Sequence, residues 1–149
     1  MKEDPDSFLR TYEEEYNLPL DFYENRFKND WSSGNFFVLG AFANETLVGQ
    51  VGFKRENKEK VKHKGTLWGM YVVPEARGKG TGKKLIEELI KRTKMIDDLE
   101  QINLIVVHTN EPAKKLYRQF GFELFGTEKR SIKINERYLD EDYMVYRIK

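Results

Sequence analysis

No cysteine occurs among the 149 residues. Disulfides, thiolate nucleophiles and cysteine-based metal sites are excluded with it. An excess of one charge is missing too: 26 Lys and Arg stand against 25 Asp and Glu, a formal net charge of +1. That balance gives no global reason to expect nucleic acid or an acidic membrane surface as a partner. No apolar run approaches membrane-spanning length, and acidic, polar residues follow Met1 instead of a signal peptide. The expected location is therefore cytoplasmic, with no membrane partner. No internal repeat, low-complexity tract or linker divides the chain. What is present suits one globular domain, residues 1–149, with 39% hydrophobic and 34% charged residues.

The stretch that organises the chain is Pro74-Glu75-Ala76-Arg77-Gly78-Lys79-Gly80-Thr81-Gly82-Lys83-Lys84-Leu85. An apolar run, 67–73, leads into it. A periodic segment follows, with Leu85, Ile86, Leu89, Ile90 and Thr93 on one helical face. Lys83, Lys84, Glu87, Glu88, Lys91 and Arg92 fall on the other. The pattern reads strand, Gly-rich turn, helix. A helix N-terminus is partly positive and has N–H groups without helical partners. A helix built for stability alone would carry Asp or Glu there; this one carries Arg77, Lys79, Lys83 and Lys84. With glycines that admit close backbone approach, the turn predicts a site for a phosphate-bearing anion. The bland alternative is a solvated loop with chance lysines.

Spacing rejects two phosphate motifs. A Walker A loop needs Gly-Lys-Ser/Thr, but Lys84 follows Gly82-Lys83. A dinucleotide fingerprint needs G-x-G-x-x-G, but Lys83 holds the third Gly position. What remains is Arg-Gly-x-Gly-x-Gly, with its Arg in Arg-x-x-Gly-x-Gly spacing.

The rest of the chain is read around this unit. Residues 1–30 are acidic and aromatic, with helices expected near 6–17 and 20–29. Strands are expected at 36–43 and 46–54 around Asn44-Glu45, and 55–64 is a solvated charge run. The strand 65–73 and a helix over 80–95 follow. A buried strand at 101–108 comes next, then a short helix capped by Thr109 or Asn110, with Pro112 in its first turn. Ala113, Leu116, Tyr117 and Phe120 form its apolar stripe, and Gly121 ends it. A hairpin over 122–148 turns at Asn135-Glu136. The strand–helix–strand centre implies a parallel pair flanked by antiparallel hairpins. The expected fold is a mixed α/β sheet, mostly antiparallel, with helices on its faces.

The Arg-x-x-Gly-x-Gly loop resembles the acetyl-coenzyme A pyrophosphate loop of the GNAT superfamily of N-acetyltransferases. Asn110-Glu111-Pro112-Ala113-Lys114-Lys115-Leu116-Tyr117-Arg118-Gln119-Phe120-Gly121-Phe122 is similar to a second signature of that family, N-x-x-A-x-x-L-Y-x-x-x-G-F. Together the likenesses cover about residues 65–122. Arg137 to Glu141 and Met144 resemble the last hairpin of many members. The resemblance implies acetyl-CoA as cosubstrate and a free amine that attacks the thioester directly in a ternary complex. Backbone N–H groups of Arg77, Gly78, Lys79, Gly80, Thr81 and Gly82, with Lys83, would hold the pyrophosphate. Tyr71 and Val72 would pair with the pantetheine through their backbone. Asn110 would hydrogen-bond that arm, and Lys115 would add a donor-side contact. Tyr117 would protonate the leaving thiolate; its other reading is a plain core aromatic.

No residue pattern selects the acceptor or the general base. His108, at the end of a central strand, is either structural or a base; His63 sits in the charged loop. Glu75 reads as part of the turn. Glu13, Glu14, Glu15, Tyr138, Asp140 and Glu141 are acceptor-side candidates, each with a bland reading as a solvated residue. Trp68 and Met70 line a pocket or fill core. Two rival functions stay open, a coenzyme A-binding regulatory or degenerate module without turnover and a nucleotide-phosphate binder. The chain departs from the family at its start, where nothing before Asp6 reads as a strand. A six-stranded sheet beginning at Phe36 is expected, lacking the family's first strand and part of its first helix. The apolar edge strand would then need a cover, for which a homodimer is one solution.

Overall fold

The computed structural model describes residues 34–149. The helices expected near 6–17 and 20–29, with Glu13, Glu14 and Glu15, lie outside the described residues, as does the question of a strand before them.

Strand β1 (Phe36–Ala43) turns through Asn44 and Glu45, both with positive φ, into the antiparallel β2 (Thr46–Arg55). The charge-rich segment after it is exposed or half-buried and holds one 3-10 turn, Glu59–Val61. Strand β3 (Lys64–Val72) runs antiparallel to β2. Helix α1 (Thr81–Thr93) crosses to β4 (Gln101–Val107), which is parallel to β3. Helix α2 (Glu111–Gln119) leads to the hairpin of β5 (Glu123–Ile134) and β6 (Arg137–Arg147). Among the described residues the sheet has six strands in the order β1-β2-β3-β4-β6-β5, with β3–β4 the one parallel pair. The expected mixed, mostly antiparallel sheet is therefore the observed one.

One face of the sheet holds the core. Phe53 and Val51 of β2, Leu67 of β3, Ile102, Leu104 and Val106 of β4, and Met144 of β6 point to it. Against them α1 buries Leu85, Ile86, Leu89, Ile90 and Thr93, the face its periodicity predicts. On α2 the stripe holds Tyr117 at its centre, but it also buries Lys114, which apolar periodicity does not anticipate. Both described helices cover this same face.

Gly65 sits where β3 is paired on both sides, opposite Arg55 and Ile102. A Cβ there would lie 2.3 Å from the ring of Phe53, which is fully buried and has no room to withdraw. Gly65→Ala is expected to destabilise the chain by about 1–3 kcal/mol. A lower urea midpoint with an unchanged slope is the expected reading.

Candidate active site

The site begins where the parallel pair ends. Lys64, Gly65 and Thr66 pair with Gln101, Ile102 and Asn103, and no pairing follows. Further along, the β2–β3 register slips between Gln50 and Gly52, and Gly69 has φ of 60°. This is a bulge with glycine in the left-handed region, and a bulged strand bends. The ends of β3 and β4 therefore part. A glycine inside a strand pattern is a known signal for such a bulge; Gly69 carried it in the sequence.

The last β3 residues line the gap. Val73 donates its N–H to Val48 O at 2.9 Å. Alternation along an antiparallel pair then turns the N–H and C=O of Val72 away from β2, towards the gap. Tyr71, opposite Gln50, uses its backbone on β2. The Arg77 side chain folds back over this corner. Its Nε donates to Val72 O at 2.8 Å, and its guanidinium lies 5.5 Å from the Tyr71 ring centroid.

The loop after β3 makes a 3-10 turn, Pro74–Ala76, then passes through Gly78 and Gly80 with φ of 72° and 81°. Gly80 is the N-cap of α1, and among the described residues no side chain caps the helix. Its first N–H groups are left to solvent or a ligand. The first turn holds no acidic residue, and Lys79, Lys83 and Lys84 are exposed around it. A Cβ at Gly78 or Gly80 would meet nothing within 4 Å. The loop backbone is thus open on a positively charged helix end, which fits a pyrophosphate. Gly82 differs. A Cβ there would lie 3.2 Å from both Leu116 and Met70, so this glycine lets α1 pack against α2 and β3.

Helix α2 flanks the gap on the β4 side. Asn110 caps it, with Oδ1 accepting from the Ala113 N–H at 3.2 Å. That leaves its amide N–H₂ for another partner. Lys115 is exposed. Tyr117 is 5% exposed, its ring 5.7 Å from that of Phe122. Burial pushes its phenol pKa up, so the hydroxyl stays protonated and can act as a donor.

A charged cluster unread in the sequence lies behind α2. Asp142 of β6 is 1% exposed and takes four contacts. His108 Nδ1 lies 2.9 and 3.0 Å from its two oxygens. Lys114 Nζ donates at 3.0 Å and Thr127 Oγ1 at 2.7 Å. Lys114, 3% exposed, also pairs with Glu111 at 2.7 Å. Burial alone pushes the Asp142 carboxyl up; the bonds from His108, Thr127 and Lys114 outweigh it and hold the pKa at about 2. A carboxyl lower in the folded chain than in the unfolded one stabilises the fold above the unfolded value. That stability is lost as pH falls through the folded value. Asp142 is therefore expected to contribute about 2 kcal/mol above about pH 4, lost towards pH 2. Acid unfolding of Asp142→Asn should be correspondingly flatter across that window.

The acceptor-side candidates have local partners. Asp140 accepts from the Arg130 N–H at 2.8 Å and from Lys129 at 2.9 Å. Glu141 accepts from Ser131, and the Arg130 guanidinium lies over Tyr138, 3.9 Å from the tyrosine ring centroid. Trp68 stacks on Phe36, on the sheet face opposite Phe53. Met70 packs beneath Gly82. A groove of about 790 Å³ between β1 and α1 reaches Lys79 and Thr81 but neither Asn110 nor Tyr117.

Comparison with known proteins agrees with this geometry. The model of the Acetyltransferase (GNAT) family matches residues 5–122. L-amino acid N-acetyltransferase AaaT of Escherichia coli is 29% identical over 98 residues, 66% of this chain and 60% of that protein. A GNAT-family acetyltransferase structure from Streptococcus pneumoniae aligns with TM-score 0.82 at 28% identity, covering 89% of this chain and 78% of that one. Ribosomal-protein-alanine N-acetyltransferase from Brucella melitensis aligns with TM-score 0.80 at 26% identity, covering 95% and 84%. By its matched family model and by the parted strands, open loop and Asn110–Tyr117 helix beneath it, the chain belongs to the GNAT family of acetyltransferases.

Proposed function

We propose that this chain moves an acetyl group from acetyl-CoA to a primary amine, on a small molecule or a protein, by direct attack in a ternary complex. Acetyl-CoA is the cosubstrate of the family. The observation that carries the reading is the meeting of three things at one gap. The outward backbone of Val72 and the open N-terminus of α1 border it, and α2, which carries Asn110 and Tyr117, packs on α1 through Leu116 at Gly82.

Each part has a task. The N–H groups from Arg77 to Gly82, with Lys79 and Lys83, bind the pyrophosphate. Val72 pairs with the pantetheine amides as a strand edge would, once Arg77 releases its carbonyl. Asn110 donates its amide N–H₂ to the same arm while its Oδ1 caps α2. Lys115, exposed on α2, adds charge on the donor side. Holding the thioester in place supplies most of the acceleration expected when an amine meets it. Tyr117, kept protonated by burial, hydrogen-bonds the sulfur and delivers its proton as the C–S bond breaks.

The test is thiol release with a panel of amines. AaaT and the Brucella melitensis protein are named for an L-amino acid and a ribosomal-protein alanine, so free L-amino acids and a peptide with N-terminal alanine head the panel. Acetyl-CoA-dependent thiol release with one of these is the expected result. Stabilisation by coenzyme A without turnover of any amine would favour a binding module instead. Stabilisation by ATP but not by coenzyme A would overturn the reading altogether.

A further inference from the structure

We propose that Asp142 is a positioning residue for acetyl transfer: through Lys114 and His108 it fixes helix α2, and with it Asn110 and Tyr117, against the β5–β6 hairpin. The inference rests on the proposed acetyl transfer. The cluster itself is a feature of the fold alone.

Asp142 and Lys114 are both buried, 1% and 3% exposed, with 3.0 Å between them. Burying an ion pair rarely adds stability over an apolar pair of the same volume. Stability alone is therefore a poor reason for a carboxylate on the same inner face as Met144 and Val106. Geometry is a better one. The carboxylate joins four segments: β6 itself, Thr127 of β5, Lys114 of α2, and His108 at the exit of β4. A carboxylate with donors from three directions has one place to sit.

Helix α2 is nine residues long, too short to hold a fixed orientation by its own hydrogen bonds. Lys114 lies one turn after Asn110, its N–H bonded to Asn110 O at 3.1 Å, and three residues before Tyr117. A displacement at Lys114 moves both Asn110 and Tyr117. The other anchor acts at the helix entry. His108 donates from Nδ1 to Asp142, and its backbone N–H bonds Asp140 O at 2.9 Å. Because a carboxylate only accepts, Nδ1 carries hydrogen in the neutral ring and Nε2 is the unprotonated nitrogen. The charged groups around the ring are Asp142, Glu111 and Asp140, with Lys114 beyond the carboxylate. Protonation of Nε2 leaves the Nδ1 contact in place.

The experiment uses the full chain, Asp142→Asn, and the paired apolar replacement of Lys114→Met with Asp142→Leu. Nitrogen NMR of the His108 ring should show hydrogen on Nδ1 in the parent and a shift towards Nε2 in both variants. Amide exchange at 114–117 should quicken at least tenfold in Asp142→Asn while α1 is unchanged. With the acceptor in hand, kcat should fall about tenfold or more with KM for acetyl-CoA within about threefold, because the loop and α1 hold the pyrophosphate independently. The paired replacement should fold as stably as the parent and still turn over slowly, which separates position from stability. A folded variant with parental kcat and parental α2 exchange would overturn the proposal, as would hydrogen on Nε2 with none on Nδ1 in the parent. If no amine is acetylated by the parent, the acetyl-transfer reading fails by itself. The exchange and ring data then decide whether Asp142 fixes α2.

Discussion

Gly80→Glu is expected to remove measurable coenzyme A binding, a loss of at least about 100-fold in Kd, from a chain that stays folded. Gly80 has φ of 81°, so any side chain there carries about 1–2 kcal/mol of backbone strain. Its Cβ would meet nothing, so no clash adds to that strain. A carboxylate beside a helix N-terminus is itself favourable, which offsets part of it. What the variant loses is the anion. The new charge would occupy the space that the loop leaves open to the pyrophosphate, beside N–H groups it would take for itself. Gly80→Ala carries the strain without the charge and should keep most of the affinity. Gly82→Glu is a different experiment. Its side chain would drive into Leu116 and Met70, and lost binding there would report lost packing between the helices. Calorimetric titration with coenzyme A on Gly80→Glu decides the matter, provided its circular dichroism matches the parent. Unchanged affinity would remove the loop from the site.

The difference between Gly80 and Gly82 shows how far the sequence reaches. Both are glycines of one motif, and spacing treats them alike. Only the packing of α1 on α2, across more than thirty residues of chain, makes one an open glycine and the other a close-contact glycine. Local pattern was enough elsewhere. The buried side of α1 follows from a 3.6-residue period, and the hairpin at Asn44-Glu45 from two apolar runs around a turn. A cap at Thr109 or Asn110 follows from their place before Pro112 and the apolar stripe, and the structure selects Asn110. The parting of β3 and β4 depends on the Gly69 bulge, a single residue whose signal a reading for apolar runs passes over. Lys114 and Asp142 are 28 residues apart, and each looks like an ordinary surface charge. Asp142 does alternate inward with Met144, and Lys114 falls three residues before Tyr117 on the buried side. Two charges at inward positions of separate elements are a sign of a pair, but sequence does not say which elements meet. The same holds for His108, whose partner fixes its role and sits on a strand not adjacent in sequence.

Tyr117→Phe is expected to lower kcat by about 10²-fold and to leave coenzyme A affinity unchanged. The ring sits at 5% exposure, packed against Phe122, and phenylalanine fills the same volume there. Folding should therefore be little affected, and only the hydroxyl is lost. Burial alone raises the phenol pKa, with no neighbouring charge among the causes. A raised phenol is a weaker acid, so it does not hand over its proton in the resting chain. In the proposed reaction it would act when the carbon–sulfur bond breaks and charge collects on sulfur, a contribution made in the transition state and not in the ground state. Such a contribution appears in kcat and leaves donor binding alone, the split that distinguishes it from a packing role. The raised value also fixes the sign of the pH profile. Tyr117 stays protonated as pH rises, so its ionisation should impose no alkaline fall in the parent below about pH 10. Rapid mixing with acetyl-CoA and the acceptor identifies the slow step. If that step is chemistry and the variant matches the parent, Tyr117 is a core aromatic and the proton reaches sulfur from elsewhere.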